Sequence, residues 1–367
     1  MSAHKPKCIA PTGAKRTRFR ETPFYEEGLW DLGNDLFAWI VPNGSWGESN
    51  AGLVTGEGES LLIDTLWDLR YTQTMLDAMA PFFRKAPLTT LVNTHADGDH
   101  FWGNQLVDAH VECITSEAAR NEMDVHKPSS MLAFARLGRA LQAIPLSPTR
   151  KVGHWFNTMC LPYAFDEVIH TPATTTFSGS TWRETGGRRL QLIEVGPAHT
   201  TGDLMVYVPD AATLFTGDIL FIGSTPVMWA GPVENWLKAL DLILDLDAEI
   251  IVPGHGPVTD KSGVRMVKAY WEYAHGAAQT LFDEGAPEQE AAERILQSSD
   301  FRKQVFANWD SPERMMTNVH VLYRHYKGRS GHLSVAAKVN MMRKQALLAY
   351  KLPDAKPTVM RREDASL

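Results

Sequence analysis

The stretch "NTHADGDHFWGN", residues 93–104, places two histidines and two aspartates within six positions, from His95 to His100. It follows the run "LTTLV", residues 88–92, whose apolar and β-branched residues are typical of a buried strand. Imidazole and carboxylate groups are the usual protein ligands of zinc and related divalent ions, and the end of a strand holds them rigidly. Taken alone, the stretch is equally compatible with a polar surface loop.

Three further β-type runs end in the same way. Each passes through a turn glycine or proline to one histidine or aspartate: "LIEVGPAH" delivers His199, "TLFTGD" delivers Asp218 and "EIIVPGH" delivers His255. Glycines on both sides of His255 allow the backbone to turn tightly there. Four such endings favour a metal centre over a surface loop.

Two groups of short β-type runs follow one another along the chain, one over residues 35–110 and one from about residue 174, where "TTTFSG" is placed first. Each group contains a helical segment. In the second group, residues 233–247 place Trp236 and Leu240 on one face at helical spacing. Two such groups in tandem predict an α/β fold in which two sheets pack between helices.

Composition and periodicity divide the whole chain into four parts. We expect a polar N-terminal arm over residues 1–24, an α/β domain over 25–260, a C-terminal helical region over 261–352 and a polar, disordered tail over 353–367. Residues 115–173 form a mostly helical insertion within the α/β domain. The basic run "GAKRTRFR" near the N-terminus is interpreted as solvated. Ser311, followed by Pro312, is expected to cap a helix.

Composition excludes several classes of protein. The 367 residues are 44% hydrophobic and carry a net charge of -7, which argues against a nucleic-acid partner. No stretch approaches the roughly 18 apolar residues of a membrane helix, and no apolar core of a signal peptide is visible. The cysteines are odd in number and widely spaced, so a disulfide framework is not expected. A cytoplasmic location is the prediction.

The ordered set of histidines and aspartates resembles the hallmark of the metallo-β-lactamase superfamily, H-x-H-x-D-H followed by distant His, Asp and His ligands. "LLIDTLWD", residues 61–68, is similar to the family's first motif and places Asp64 behind the site. The resemblance covers roughly residues 35–260. It implies an αββα sandwich, here with a helical insertion and a helical C-terminal extension, and metal-dependent hydrolysis.

The resemblance also implies the ligands of two ions. One set is His95, Asp97 and His199, the other is Asp99, His100 and His255, and Asp218 bridges them. The chain departs from the family pattern at Asp97, which stands where the family has its second histidine. Two Zn²⁺ ions are expected. Because a carboxylate is a harder ligand than imidazole, Mn or Fe are the alternatives. It stays open whether Asp97 instead points away and leaves a one-ion site.

Such a centre activates a water as the nucleophile and polarises the substrate, with Asp99 as the catalytic residue that orients this water. The segment after Asp218 carries Met228 and Trp229, which are expected near the mouth of the pocket, as is Trp102. All three are also ordinary core residues. Further candidate wall residues are Trp46, Phe221 and the aromatic cluster of the insertion, Trp155, Phe156, Tyr163 and Phe165.

No lysine or arginine cluster adjoins the ligand motifs, which favours an apolar or aromatic substrate over a phosphodiester. Lone histidines that could protonate a leaving group, although each is more typical of a structural role, are His154, His170 and His332. The partner is therefore a small molecule rather than a nucleic acid or a membrane, and a homodimer is left open.

The first hypothesis is a hydrolase of an ester, lactone, thioester or amide, with hydrolytic dehalogenation of an activated aromatic ring as a variant. The alternatives are a β-lactamase, an iron-dependent oxidoreductase of the same fold, such as a sulfur dioxygenase, and a binding protein without activity. Iron content separates the oxidoreductase from the hydrolase.

Overall fold

Two β-sheets form the centre of the molecule in the computed structural model, which describes residues 5–331 and 333–362. The first sheet has eight strands in chain order: β1 Lys7–Pro11, β2 Gly28–Gly33, β3 Leu36–Ile40, β4 Ala51–Thr55, β5 Ser60–Ile63, β6 Leu88–Val92, β7 Glu112–Ser116 and β8 Thr175–Phe177. The second sheet has five, in spatial order β13, β12, β11, β10 and β9: β9 Ser180–Thr185, β10 Arg188–Glu194, β11 Leu204–Val208, β12 Thr213–Phe215 and β13 Ile250–Val252.

Helices cover both outer faces and form the insertion and the C-terminal region. They are α1 Leu69–Phe83, α2 Gly98–Phe101, α3 Glu117–Met123, α4 Pro128–Gln142, α5 Ser147–Cys160, α6 Val233–Asp245, α7 Lys261–Asp283, α8 Glu288–Gln297, α9 Ser299–Arg302, α10 Met315–Tyr326 and α11 Val335–Ala349. None of the helices in the described part of the chain combines the length and the apolarity needed to cross a membrane.

Strand β3 shows how the layers arise from the alternation of side chains along a strand. Leu36 and Ile40 belong to the apolar layer between the two sheets, together with residues of β10 and β11. Phe37 and Trp39 point the other way and pack with residues of α1. On the outer face of the second sheet, Trp236 and other residues of α6 and α7 pack against β11 and β12. The architecture is the expected αββα sandwich.

The insertion and the C-terminal helices form one further apolar layer. Residues of α5 pack against residues of α11, and Met341 and Met342 of α11 lie in the same buried cluster as Trp155 and Phe156 of α5. The run placed first in the second group belongs elsewhere, because β8 pairs in parallel with β7 through Ile114 and Thr175. The strand that follows the insertion thus completes the first sheet.

The structure corrects three predictions: the solvated N-terminal arm, the disordered tail and the helix cap at Ser311. The N-terminal segment is not a solvated arm: β1 pairs with β2, Phe19 is buried, and the Arg18 side chain is 4% exposed and lies 3.8 Å over the Tyr71 ring. In the tail, Val359 is buried within a 3₁₀ turn, so residues up to 362 are ordered against α5; residues 363–367 lie outside the described residues. Ser311 has a left-handed φ of 55°, and its hydroxyl donates to Asp310 rather than capping the helix.

Candidate metal centre

The side chains predicted as metal ligands all lie at one edge of the sandwich. The four strand ends that were identified in the sequence reach this edge, and they belong to β6, β10, β12 and β13. The potential ligand atoms form three sets, and within each set all atoms lie within 4.8 Å of one another. The sets are His95, Asp97 and His199; His95, His100 and Asp218; and Asp99, His100 and His255. The first and third sets match the two groups expected for two ions.

Asp218 occupies the centre of this cluster. Its carboxylate oxygens lie 3.8, 3.2, 3.3 and 3.3 Å from the Nε2 atoms of His95, His100, His199 and His255, respectively. Asp218 therefore lies close to side chains of both groups that were expected to hold ions, and its bridging role stays a prediction.

Several inward-facing atoms of the cluster have no hydrogen-bond partner. Nε2 of His95, Nε2 of His100 and Oδ1 of Asp218 are buried and unpartnered among the residues that the structure describes. Buried polar atoms in folded proteins are almost always partnered, and each orphan costs free energy. Lone pairs of nitrogen and oxygen that converge on one interior point fit divalent cations, so the residues present suit the implied ions.

Asp64 orients two of the imidazoles from behind. Its carboxylate accepts hydrogen bonds from the backbone N–H and the hydroxyl of Thr94, each at 2.7 Å, and lies 2.9 Å from Nδ1 of His100. A carboxylate only accepts, so Nδ1 of His100 donates to Asp64, and Nε2 is the ring atom that faces the cluster. The Thr94 hydroxyl is 2.9 Å from Nδ1 of His95 and orients that ring in the same sense.

The remaining two imidazoles are held by the loop after β12. Nδ1 of His199 donates to the carbonyl of Val227 at 2.7 Å, which turns Nε2 toward Asp97 at 3.1 Å. The ring of His255 stacks on Phe221 at a centroid distance of 4.9 Å and an angle of 4°. The loop therefore fixes ring orientation on both sides of Asp218.

The electrostatics of the cluster favour cations. Burial raises the pKa of Asp218, but the imidazoles of His255 and His100 outweigh it and hold the pKa well below its ordinary value. Burial lowers the pKa of His199, but the charges of Asp218 and Asp97 outweigh it and raise the pKa to about 10. Burial and the neighbouring His100 lower the pKa of His95 to about 3. The carboxylates stay ionised, as metal ligands must.

Asp97 points into the cluster. Its Oδ2 accepts a hydrogen bond from the indole N–H of Trp229 at 3.0 Å and lies 3.1 Å from Nε2 of His199. Burial raises its pKa, but the His199 imidazole outweighs this and holds the pKa below its ordinary value. In the structure Asp97 therefore does not point away from the other candidate ligands. The indole donor was missed at the sequence level, because a contact between residues 132 positions apart leaves no local pattern.

The open side of the cluster lies at Asp97 and Asp99, whose side chains are 22% and 13% exposed. His126, from the insertion, borders this side: its Nδ1 is 3.8 Å from Asp97, and Nζ of Lys338 in α11 is 3.4 Å from its Nε2. Neither side chain was singled out from the sequence.

The three predicted substrate contacts are placed differently from one another. Trp102 is 3% exposed and packs against Trp67 and Phe165, and Met228 is fully buried, so neither offers surface to a substrate. Both expectations are corrected, since apolar residues beside a motif were equally suited to the core. Trp229 is half-buried and contacts Asp97.

The other expected wall residues divide in the same way. Phe221 is 1% exposed, and the aromatic cluster of the insertion is buried. That cluster reaches the site through half-buried Trp46, whose ring lies 5.9 Å from Trp155 and 6.3 Å from Trp229. Among the lone histidines, His154 is a buried residue of α5 whose Nε2 lies 3.2 Å from the carbonyl oxygen of Val359, and His332 lies outside the described residues.

One arginine that is distant in sequence from the ligand motifs packs against two aromatic residues near the site. Arg314 is 2% exposed, and its Cζ lies 5.5 Å from the Trp46 ring and 5.6 Å from the Phe221 ring. The segment before α10 brings it there, because the backbone of Asp310 bonds to Gly223 and Thr225 in the loop after β12. A residue so far from the ligand motifs could be placed only by folding.

Known proteins share both the sequence pattern and the fold. The family model described as the metallo-beta-lactamase superfamily matches residues 44–255, more than half of the chain. The alpha subunit of a 2,4-dinitroanisole O-demethylase from Nocardioides sp. (strain JS1661) is 33% identical over 90 residues, which is 23% of this chain and 26% of that protein. A beta-lactamase-like protein 2 homolog from Caenorhabditis elegans is 32% identical over 126 residues, 34% of this chain and 39% of that protein. The chain thus spans well under half the length of these curated relatives.

Two solved structures are similar in fold. A stereoselective inverting sec-alkylsulfatase from Pseudomonas sp. aligns with a TM-score of 0.62 at 15% identity, over 83% of this chain and 50% of that one. A metallo-beta-lactamase family protein from Thermus thermophilus aligns with a TM-score of 0.55 at 21% identity, over 81% of this chain and 95% of that one. The family model, the order of the ligand motifs and the sandwich agree, and the chain belongs to the metallo-beta-lactamase superfamily.

Proposed function

We propose that this protein is a metal-dependent hydrolase that cleaves an ester, lactone, thioester or amide bond in a small, largely apolar organic molecule. The observation that carries the proposal is the convergence of unpartnered imidazole and carboxylate atoms around Asp218 at the ends of four strands. Membership of a superfamily whose neighbours include hydrolases supports the reaction class.

Two groups of side chains, with Asp218 between them, would hold the proposed ions. The ligands are His95, Asp97 and His199 on one side and Asp99, His100 and His255 on the other. Divalent ions at this site, expected to be Zn²⁺ with Mn or Fe as alternatives, would supply an activated water and polarisation of the electrophilic group of the substrate. The protein orients the ligands through Asp64, Thr94 and the carbonyl of Val227.

Asp99 is the proposed catalytic residue. Its side chain reaches the open side of the cluster, where it is 13% exposed, while its Oδ2 remains 3.5 Å from Nε2 of His255. A carboxylate at that place can accept a hydrogen bond from the attacking water and fix its direction toward the substrate. The buried remainder of the site excludes bulk water and strengthens these interactions.

The apolar body of the substrate is proposed to rest on Trp46 and Trp229. Both indoles are half-buried, lie 6.3 Å apart and adjoin the open side at Asp97. One relative is named for a nitro-substituted aryl ether, which supports an activated aromatic compound as a variant substrate, and hydrolytic dehalogenation of such a ring stays a prediction. Because another relative is named beta-lactamase-like, β-lactams are included among the substrates to be tested.

A second candidate, an iron-dependent oxidoreductase of the sulfur dioxygenase type, is favoured by one observation. Asp97 replaces a histidine and faces the cluster, which makes the ligand set richer in oxygen and better suited to iron. Iron in the purified protein, together with oxygen consumption, would support this candidate. A cytoplasmic location and a homodimer stay predictions.

Elemental analysis of the purified protein, combined with a panel of chromogenic esters, lactones, thioesters and β-lactams, tests the proposal. We expect zinc in the protein and metal-dependent turnover of at least one ester-type substrate. Asp99→Asn should abolish most of this turnover and leave the fold intact, while Asp108→Asn, an exposed carboxylate remote from the ligand set, is the matched control. Full turnover by protein from which all metal has been removed would refute the proposal.

A further inference from the structure

The loop that joins β3 to β4, residues 41–50, is attached to the metal centre at one end. The hydroxyl of Ser49 donates to the backbone carbonyl of Asp99 at 2.7 Å. The side-chain amide of Asn50 donates to backbone carbonyls on both sides of His255, at 2.9 and 2.8 Å. The end of the loop that precedes β4 therefore has a fixed position relative to the candidate ligands.

Side chains from two other segments fix the tip of the same loop. The hydroxyl of Tyr163, in the insertion, donates to the carbonyl of Trp46, and Nη1 of Arg18 donates to the carbonyl of Gly47 at 2.5 Å. Gly47 has a φ of 62°, and a Cβ atom added to it would overlap the ring of Trp67. Two consecutive carbonyls of the tip are thus bonded from outside the loop, and the tip is pressed against an aromatic ring.

The guanidinium of Arg18 is itself held on several sides. The side chain is 4% exposed, its Cζ lies 3.8 Å over the Tyr71 ring, and its Nη2 is 3.5 Å from Oε1 of Glu27. Arg18 belongs to the N-terminal segment, which precedes the residues 44–255 that the family model matches. Because the guanidinium is buried, it acts on the site through the loop rather than by contact with a substrate.

We propose that Arg18 and Tyr163 are positioning residues, which hold Trp46 as a fixed wall of the site and so set its preference for substrates with an aromatic acyl group. The Trp46 ring lies 6.3 Å from that of Trp229 beside the open side. A wall that is already ordered costs less entropy to bind than a mobile loop. This inference rests on the proposed function, because it specifies which substrates the proposed hydrolase prefers.

The test compares methyl phenylacetate with methyl acetate, which differ only in the aromatic ring of the acyl group. Acid release in a pH-stat gives kcat/KM for each, and the ester ratio is the value for methyl phenylacetate divided by that for methyl acetate. We expect an ester ratio well above one in the metal-loaded wild type. Arg18→Met and Tyr163→Phe should each lower it about three- to tenfold, mainly through the KM of methyl phenylacetate.

Two comparisons separate positioning of Trp46 from a general structural role. Trp46→Ala should lower the ester ratio by itself, and adding Arg18→Met to it should lower the ratio no further, because Arg18 acts through Trp46. The matched controls are Arg16→Met, an exposed arginine of the same segment, and Tyr207→Phe, which removes a hydroxyl bonded to a backbone carbonyl in the second sheet. Both controls should keep the wild-type ratio.

Hydrogen exchange followed by mass spectrometry gives a readout without turnover. The amide of Glu48 bonds to the carbonyl of Ser45 within the loop. Peptides that cover residues 43–50 should exchange about tenfold faster in Arg18→Met and Tyr163→Phe, whereas a peptide that covers β11 should keep its rate.

Each outcome decides the inference. If the wild type hydrolyses both esters without preference, or if Arg18→Met and Tyr163→Phe keep the wild-type ester ratio, the inference is overturned and the proposed function stands. If metal-loaded protein hydrolyses neither ester, the proposed function fails on them and the exchange rates decide whether the loop is held as described. Equal exchange of residues 43–50 in the wild type and both variants overturns the inference, and Tyr163→Phe, which removes one oxygen, serves if Arg18→Met does not fold.

Discussion

Replacing Asp64 with asparagine should weaken metal binding without removing a ligand. Both carboxylate oxygens of Asp64 act as acceptors: Oδ1 receives the Thr94 N–H, and Oδ2 receives the Thr94 hydroxyl and faces Nδ1 of His100. An amide has one acceptor oxygen and an NH₂ group. In either orientation of the amide that Asp64→Asn introduces, the NH₂ group meets a donor.

The amide orientation that spares the Thr94 N–H sets NH₂ against Nδ1 of His100. That imidazole then moves its proton to Nε2, which is the atom that faces Asp218 at 3.2 Å and is proposed to bind the ion. Loss of a group that orients a metal ligand typically costs 10- to 100-fold in affinity, or about 1.4 to 2.7 kcal/mol. We expect the ion at the Asp99, His100 and His255 side to weaken by this amount.

Competition with a fluorescent chelator gives the two zinc affinities of the wild type and of Asp64→Asn. Asp68→Asn is the matched control, because Asp68 is also fully buried and bonds to the backbone of Tyr71 rather than to a metal-ligand histidine. It should lower stability and leave the zinc affinities unchanged. The backbone of Asp64 has a φ of 62°, a region that asparagine also tolerates, so the fold should be retained. Zinc affinities within twofold of the wild type would refute the reasoning.

Exhaustive dialysis against a chelator should abolish hydrolysis and added zinc should restore it; activity without metal would contradict the assignment. Asp97→Ala should lose the ion shared with His199, and Asp97→His should regain it, so equal metal content by elemental analysis in all three proteins would contradict Asp97 as a ligand. Trp229→Phe removes the 3.0 Å hydrogen bond to Asp97 and should weaken the same ion by about tenfold in the chelator assay. Asn318→Ala leaves the N–H of Met228 without its acceptor and should lower the free energy of unfolding by about 2 kcal/mol in urea, so an unchanged midpoint would contradict its role.

The strands and the candidate ligands at their ends were predictable from the sequence, because both are local patterns. The run before His95 forms β6, and the runs before Asp218 and His255 form β12 and β13. Apolar β-branched residues that end in a turn and a single polar residue specify a strand and what stands at its end. The order of these endings along the chain then indicated the family.

Local sequence patterns gave wrong predictions for residue types that occur both in the buried core and at the surface. The aromatic residue Trp102 follows the ligands closely, yet it turns into the core, and Arg18 in a basic run is buried against Tyr71. Whether an aromatic or a long cationic side chain is covered depends on which segment packs over it. Here the covering segments include residues of the insertion far along the chain.

Only the tertiary structure decided the surroundings of the centre. The indole of Trp229 on Asp97, His126 beside the open side and Arg314 against Phe221 join residues that are distant in sequence. Their contacts arise when the loop after β12, the insertion and the segment before α10 are packed around the same strand ends. The candidate ligands could therefore be recognised in the sequence, because they directly follow strands, whereas the groups proposed to select a substrate depend on long-range packing.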